Sequence, residues 1–451
     1  MVSKVLLDYF LFLFYWLNLL ILEKWIDPAL ITHDLTKKFG DKGLAWLDSD
    51  GKENGEWSII GIKPKKIIQS RDINNLDKTN NPFNNLRNIE KGFWIGWLSY
   101  EAGVYIEPKN PWKKSNMATL WIASYDPIIK CNLIKKEIII EGTNSSELMN
   151  YKNIINNIKN IEEENIIKTN LNFDFSKINL DEMAEKFQKN ILKLKKLISL
   201  GDIFQANLTT KCEIESSKNY NPLDIYLKIR RKLRAPFGGI IINNNYKEAV
   251  LSTSPERFLK IDNKNFVESR PIKGTRSRDK DLNQDALNAI DLITNEKDRA
   301  ENIMIVDLIR NDLSKVCETG SIMVPEILKL ESFLKVHHLT SVIRGKLKKD
   351  TNWIDLLKAC WPGGSITGAP KLRSCQRLFE LEECERGPYC GSFLKLDWNG
   401  EFDSNILIRS FLIKDKKINI YAGCGIVIDS DPEEETDELK WKLLPLIDSL
   451  K

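Results

Sequence analysis

Two pairs of acids and one lysine are the residues of this chain best placed to do chemistry. Asp298 and Glu301 stand three apart, and so do Glu435 and Glu438 in DPEEETDELKWK. Three-residue spacing puts both members of a pair on one helix face, and the first face continues into Ile305 and Leu308. Four carboxylates brought together would suit a hard cation such as Mg2+. Spacing alone, however, favours the commoner outcome, solvated helix surface. Lys273 lies between Ile272 and Gly274 in SRPIKGTRSR, and Glu256 lies seventeen residues earlier in SPERFL. A lysine before a tight turn can project its amine into a site, and a Lys/Glu pair can divide the roles of nucleophile and general acid. For an anonymous pair, a surface salt bridge is the plainer reading.

Two glycine-rich turns accompany them. WPGGSITGAPK carries Gly363, Gly364 and Gly368 ahead of a helix, which makes an anion site of backbone amides. It lacks the G-x-x-x-x-G-K-[ST] spacing of a P-loop. In YAGCGIV, Gly423 and Gly425 flank Cys424. Gly425 reads as a close backbone approach to a ligand, with Cys424 passive.

The elements that must position these groups follow from the rest of the chain. Hydrophobic residues are 42% and charged residues 29% of 451, and the net charge is +4 from 67 basic and 63 acidic side chains. That balance excludes a disordered chain, a collagen-like fibre and a multi-span membrane protein, and it gives no support for a nucleic-acid partner. Eight cysteines without a C-x-x-C pair, and three histidines, argue against a zinc site and for reduced thiols in a reducing, cytoplasmic compartment. Residues 5–22 form an apolar run interrupted by Asp8 and Asn18. It is short for a bilayer span and lacks a signal-cleavage site. Residues 1–22 are therefore read as an extension of uncertain role, with membrane contact through 5–22 and an integral strand or helix as the less favoured alternatives.

Short alternating strands are expected over 43–70 and in GFWIGWLSY and ATLWIASYDPIIKCNLIKKEIII. Residues 146–178, rich in Asn, Lys and Glu, read as a linker. Beyond it come a helix over 181–200, strands near 203–215 and 237–252, and one long helix over 285–316. Strands at 391–398, 405–413 and 417–428 precede a last helix over 433–450. Strands and helices without regular βαβ alternation indicate an α+β fold.

GDIFQANLT, SPERFL, SRPIKGTRSR, ENIMIVDLIRNDLSKV, VHHLTSVIRG, WPGGSITGAPK, GPYCGS, ILIRSF and YAGCGIV occur in that order. Together they resemble the chorismate-utilising enzymes: the large subunits of anthranilate and aminodeoxychorismate synthases, with isochorismate and salicylate synthases as relatives. The resemblance implies antiparallel sheets packed against helices, an N-terminal region over 23–145 and a chorismate-binding catalytic domain over 179–449. It implies Mg2+ on Glu301 and Glu438, supported by Asp298 and Glu435. It assigns Arg409 and Tyr389 to the enolpyruvyl carboxylate. Further substrate contacts fall on Gly274, Thr275, Ser365, Gly423 and Gly425, and His338 falls near the ring, with His337 one residue away from that assignment.

One position separates the branches. Anthranilate synthases resemble PIAGT where this chain has PIKGT. The lysine implies covalent attack on ring C2 by Lys273, with Glu256 as the acid, and 4-amino-4-deoxychorismate as product. Ammonia is then implied to come from a separate glutamine amidotransferase. The family also holds tryptophan in its N-terminal region, which here would touch Leu47–Ser49 and Pro236–Gly238. The alternatives are an anthranilate synthase large subunit and a non-catalytic binding subunit of the same family.

Overall fold

Side-chain alternation along the central strands decides the architecture. Trp46, Ile240, Ile242, Ala249, Leu251, Phe411, Ile413, Ile420 and Ala422 enter one buried cluster. Their neighbours Ala45, Ile241, Val250, Leu412 and Tyr421 enter another. Successive residues of a strand point to opposite faces, so a sheet of this composition must be covered on both.

The computed structural model describes residues 17–22, 24–52, 55–71, 73, 79–159, 161–167, 173–216, 218–332 and 336–451. Among these residues the two-sided sheet has twelve strands. It runs Asn18–Leu22, Glu137–Gly142, Ile128–Asn132, Trp57–Gly61, Ala45–Asp48, Phe237–Asn243, Glu248–Ser254, Ser410–Lys414, Lys417–Ile426, Gln205–Ser216 and Gly368–Ala369, with Phe173–Asp174 added beside Gln205–Ser216. A ten-stranded sheet runs Ile272–Ser277, Val336–Lys346, Phe266–Arg270, Arg257–Ile261, Phe402–Asn405, Ser392–Leu396, Phe93–Leu98, Leu120–Tyr125 and Lys66–Ser70, with Met323–Ser332 beside Val336–Lys346. The strand pairs are antiparallel. Helices Pro28–Phe39, Leu180–Ser199, Pro222–Leu233 and Pro432–Leu450 cover the outer face of the larger sheet. Glu296–Ser314 and Trp353–Cys360 pack into the second core with Trp97, Trp121 and Phe393. The α+β expectation holds.

Four details of the sequence reading change. The single helix expected over 285–316 is two, Leu282–Thr294 and Glu296–Ser314. Asn295 leaves helical geometry at φ −61°, ψ 114°, and its side chain accepts the Asp298 N–H, capping the second helix. The boundary near residue 145 does not separate two cores. Ala45–Asp48 pairs with Phe237–Asn243, and Phe93–Leu98 pairs with Ser392–Leu396, so both regions build both sheets. The expected linker contains a capped helix, Ser145–Asn156, which buries Leu148, Tyr151 and Ile155. Finally, Asn18–Leu22 is no free extension. It pairs with Glu137–Gly142 and buries Leu22, supplying the edge strand that the apolar neighbour requires. The remainder of the apolar run, through residue 16, lies outside the described residues, and the membrane-contact reading with it. Among the described residues no helix is long and apolar enough to cross a membrane.

This edge pairing makes truncation position-sensitive. Removing residues 1–16 is expected to preserve the cooperative thermal transition. Removing residues 1–22 uncovers the Glu137–Gly142 edge and loses burial of Leu22, costing about 1.5–3 kcal/mol from that side chain alone. Equal midpoints for the two truncations in scanning calorimetry would refute the structural role of the strand.

Candidate active site

Lys273 owes its direction to a bulge. Strand Ile272–Ser277 pairs with Val336–Lys346 through Ile272 and Thr340, then shifts register before Thr275 meets His338. Lys273 and Gly274 occupy the irregularity, and a bulge of this kind re-aims a side chain. Gly274 has φ +83°, and a Cβ there would lie 2.8 Å from Leu292 Cδ1 and 3.1 Å from Asp298. Glycine is thus required both by conformation and by the two helices packed against it. The redirected Lys273 side chain is 13% exposed, and its Nζ lies 3.8 Å from Glu301 Oε2.

Gly425 lies opposite. A Cβ on it would stand 2.7 Å from Gln205 Nε2 and 3.3 Å from both Glu301 Oε2 and Lys273 Nζ. The bare backbone of this strand therefore shares one small volume with an amine, a carboxylate and a carboxamide. Gln205 Nε2 donates to Glu301 Oε2 at 3.2 Å.

Glu256 follows the strand Glu248–Ser254 and is 5% exposed. Its N–H donates to Ser254 Oγ at 3.2 Å, and its carbonyl accepts from Ile406 N–H at 3.1 Å, which fix the backbone. Burial pushes its carboxyl up to about 7, against the opposing pull of the Ser365 hydroxyl, the Lys273 charge and the Ile272 amide. The Gly-rich turn thus contributes Ser365 to the same carboxyl. At neutral pH the group divides between acid and carboxylate, as a proton donor and acceptor should.

His338 Nδ1 lies 2.9 Å from Thr275 Oγ1. Burial, then the charge of Arg409, lowers this imidazole to about 3, so it is neutral at physiological pH. His337 belongs to another cluster, with Nε2 3.1 Å from Asp285 and Nδ1 2.8 Å from Ser332 Oγ. The register therefore places His338, rather than His337, beside Thr275 and near the Arg409 charge.

Arg409 and Tyr389 arrive on two loops locked to each other. Cys390 N–H donates to the Leu407 carbonyl, and Leu407 N–H to the Gly391 carbonyl, both at 2.9 Å. Cys390 at φ +61° and Arg409 at φ +50° hold left-handed geometry that non-glycine residues adopt at a cost. Tyr389 is buried and stacks on Tyr421 with centroids 4.9 Å apart. Among the described residues no carboxylate forms an ion pair with Arg409. A guanidinium in that condition suits a bidentate carboxylate ligand.

The two acidic pairs converge as their spacing allowed. Burial raises the Glu301 carboxyl, and Glu435 and Glu438 add to the effect while Lys273 and Lys297 oppose it. Burial likewise raises Asp298, which Arg276 pairs at 2.9 Å and which feels the Glu438 charge. Lys442, 2.6 Å from Glu438, holds that carboxyl below its usual range. Glu435 is 2% exposed; Lys297 and Ser430 hold its Oε1 at 2.6 and 2.7 Å, and its Oε2 is buried without a hydrogen-bond partner among the described residues. An orphaned carboxylate oxygen among like charges is a donor set that fits a hard divalent cation.

Gln205, Lys297, Lys442 and Arg276 have no role in the sequence reading. Gln205 sits in the GDIFQANLT motif, and Lys442 follows Glu438 by four residues, so both carried a usable signal. The proposed tryptophan segments do adjoin: Gly238 pairs with Asp48, and Arg234 Nε donates to the Ser49 carbonyl at 2.8 Å.

Residues 44–448 match the model of the chorismate binding enzyme family. The chain is 41% identical to the aminodeoxychorismate synthase of Arabidopsis thaliana over 259 residues, which are 57% of this chain but only 28% of that longer protein. It is 33% identical to an anthranilate synthase component I-like protein of Synechocystis over 441 residues, 92% of this chain and 88% of the relative. The fold is similar to the crystal structure of anthranilate synthase component I from Streptococcus pneumoniae, with a TM-score of 0.69, 26% identity, and coverage of 88% of this chain and 92% of that one. With the family match running through nearly all of the sequence, the chain belongs to the chorismate binding enzyme family.

Proposed function

We propose that this chain aminates chorismate to 4-amino-4-deoxychorismate, using ammonia from a separate glutamine amidotransferase. One observation carries the reading: the Lys273 amine sits in the same seam as a buried Glu256 carboxyl. The 41% identity to a plant aminodeoxychorismate synthase supports it. A second reading, anthranilate formation, draws on the likeness over almost the whole chain to an anthranilate synthase component I-like protein.

In the proposed sequence Arg409 and Tyr389 hold the enolpyruvyl carboxylate. Gly274, Thr275, Gly423 and Gly425 present backbone and hydroxyl groups to the substrate, and neutral His338 flanks the ring. Deprotonated Lys273 Nζ attacks ring C2, the ring double bond shifts, and the C4 hydroxyl leaves with a proton from Glu256. Ammonia then adds at C4, the double bond returns, and the C2–N bond breaks. Lys273 leaves as the amine, and Glu256 recovers a proton from the incoming nitrogen. Ser365 orients Glu256 throughout. Glu301 and Glu438, with Asp298 and Glu435 beside them, would hold Mg2+. When bound, the cation neutralises the ring carboxylate and withdraws electron density from the ring.

Three outcomes test this. Wild-type protein mixed with chorismate and Mg2+ in the absence of ammonia should show, by mass spectrometry, an adduct at Lys273, and Lys273→Ala should show none. A Lys273→Ala protein that still makes 4-amino-4-deoxychorismate at the wild-type rate would overturn the nucleophile assignment.

Glu256 gives a pH signature. Its protonated form donates to the leaving hydroxyl, so the rate of adduct formation should fall as pH rises through about 7. Glu256→Gln should abolish that limb and lower the rate about 10²–10⁴-fold. The sign for stability is the same. A carboxyl raised on folding favours the folded state at low pH, and that contribution disappears as pH rises through the folded value. Glu256→Gln should therefore raise the thermal midpoint relative to wild type more at about pH 8.5 than at about pH 5. A uniform difference at both pH values would contradict the burial argument.

For the cation, Glu301→Gln and Glu438→Gln should each weaken Mg2+ binding on the order of tenfold or more by titration calorimetry. Unchanged affinity in both would exclude these carboxylates as ligands.

A further inference from the structure

The strand Lys417–Ile426 puts a thiol next to the acids from the side opposite to Lys273. Gly425 faces the amine, while its neighbour Cys424 is 1% exposed and lies with Leu439 and Leu443 in the other core. One donor atom each from Cys424, Glu435 and Glu438 lies within 4.8 Å of the other two. The cysteine alone would carry no argument. The second observation is Glu435 Oε2, an oxygen of a residue 2% exposed, which has no hydrogen-bond partner among the described residues although Oε1 has two. Glu301 is not part of this trio.

We propose that Cys424, Glu435 and Glu438 form a site for a thiophilic divalent cation of the Zn2+ or Cd2+ class, which shares Glu435 and Glu438 with the Mg2+ position and so antagonises it. One sulfur and two carboxylate oxygens are a borderline-soft set, which such cations prefer and Mg2+ does not. Metal–sulfur and metal–oxygen bonds of about 2.3 and 2.0–2.2 Å require the three donors to close in by on the order of 1 Å. Glu438, whose side chain is 51% exposed, has the freedom to move. On binding, the Cys424 S–H bond breaks, its proton goes to solvent, and the metal–sulfur bond forms. Lys442 Nζ now stands 3.8 Å from Cys424 Sγ and 2.6 Å from Glu438; it also donates to the Gly423 carbonyl at 2.8 Å, a contact it can keep when the cation takes the other two. The antagonism rests on the amination reading, whereas binding of the soft cation does not.

The test is titration of the full-length chain with Cd2+, followed by the thiolate-to-cadmium charge-transfer absorbance, in wild type and Cys424→Ala. The expected result is a saturable band in wild type that excess Mg2+ displaces and that Cys424→Ala lacks. Half-inhibition of turnover by Zn2+, each protein scored against its own uninhibited rate, should need at least about tenfold more Zn2+ in Cys424→Ala. An identical band and identical Zn2+ sensitivity in the two proteins would overturn the site, by locating the soft cation on another cysteine. A Cys424-dependent band in a protein whose turnover is indifferent to Mg2+ would uphold the thiol site and refute the Mg2+ part of the amination reading.

Discussion

Most of this structure answers to one constraint: an amine and several carboxylates are held together away from bulk water. Lys273 and Glu301 are each about seven-eighths buried, and Glu256 more so. Buried charges are costly unless paired, and pairing them fully would quench their chemistry. The fold resolves this by distance. Lys273 stays 3.8 Å from Glu301, too long for a hydrogen bond, while Gln205 Nε2 occupies that oxygen. Tighter ion pairs fall on the neighbouring acids, at Lys297–Glu435, Lys442–Glu438 and Arg276–Asp298.

Holding that arrangement requires elements far apart in sequence to stop at the right place. The bulge at Lys273–Gly274 aims the amine, the Asn295 break sets the first turn of the helix bearing Asp298 and Glu301, and the acidic helix Pro432–Leu450 packs along the strand that carries Gly425. Each belongs to a sheet or helix with strands from both halves of the chain in its core. That is why residues near the N-terminus are inseparable from the sheets that carry the candidate site.

The site was more legible than the fold's partition. PIKGT and the paired acids carry local signals, and the family's ordered motifs assign Arg409, Tyr389 and His338 beyond the reach of spacing. The ambiguity between His337 and His338 needed strand register, because adjacent residues of a strand face opposite sides. The domain boundary failed for a different reason. Composition marks solvent exposure, and the helix Ser145–Asn156 in the Asn-rich stretch is exposed on one side only; Leu148, Tyr151 and Ile155 on its other side join the core of the larger sheet. Cross-pairing of Ala45–Asp48 with Phe237–Asn243 is a non-local fact with no trace in local periodicity. Gln205 was missed because a glutamine opening a largely polar strand reads as a filler until its carboxamide is seen beside Glu301.

In the proposed reaction the bulge at Gly274 delivers Lys273 as a nucleophile and thereby directs ammonia to ring C4. The decisive measurement is the identity of the product formed by the purified chain from chorismate, Mg2+ and ammonium, resolved by chromatography and mass spectrometry. The expected product is 4-amino-4-deoxychorismate with no release of pyruvate. Anthranilate with stoichiometric pyruvate would contradict it.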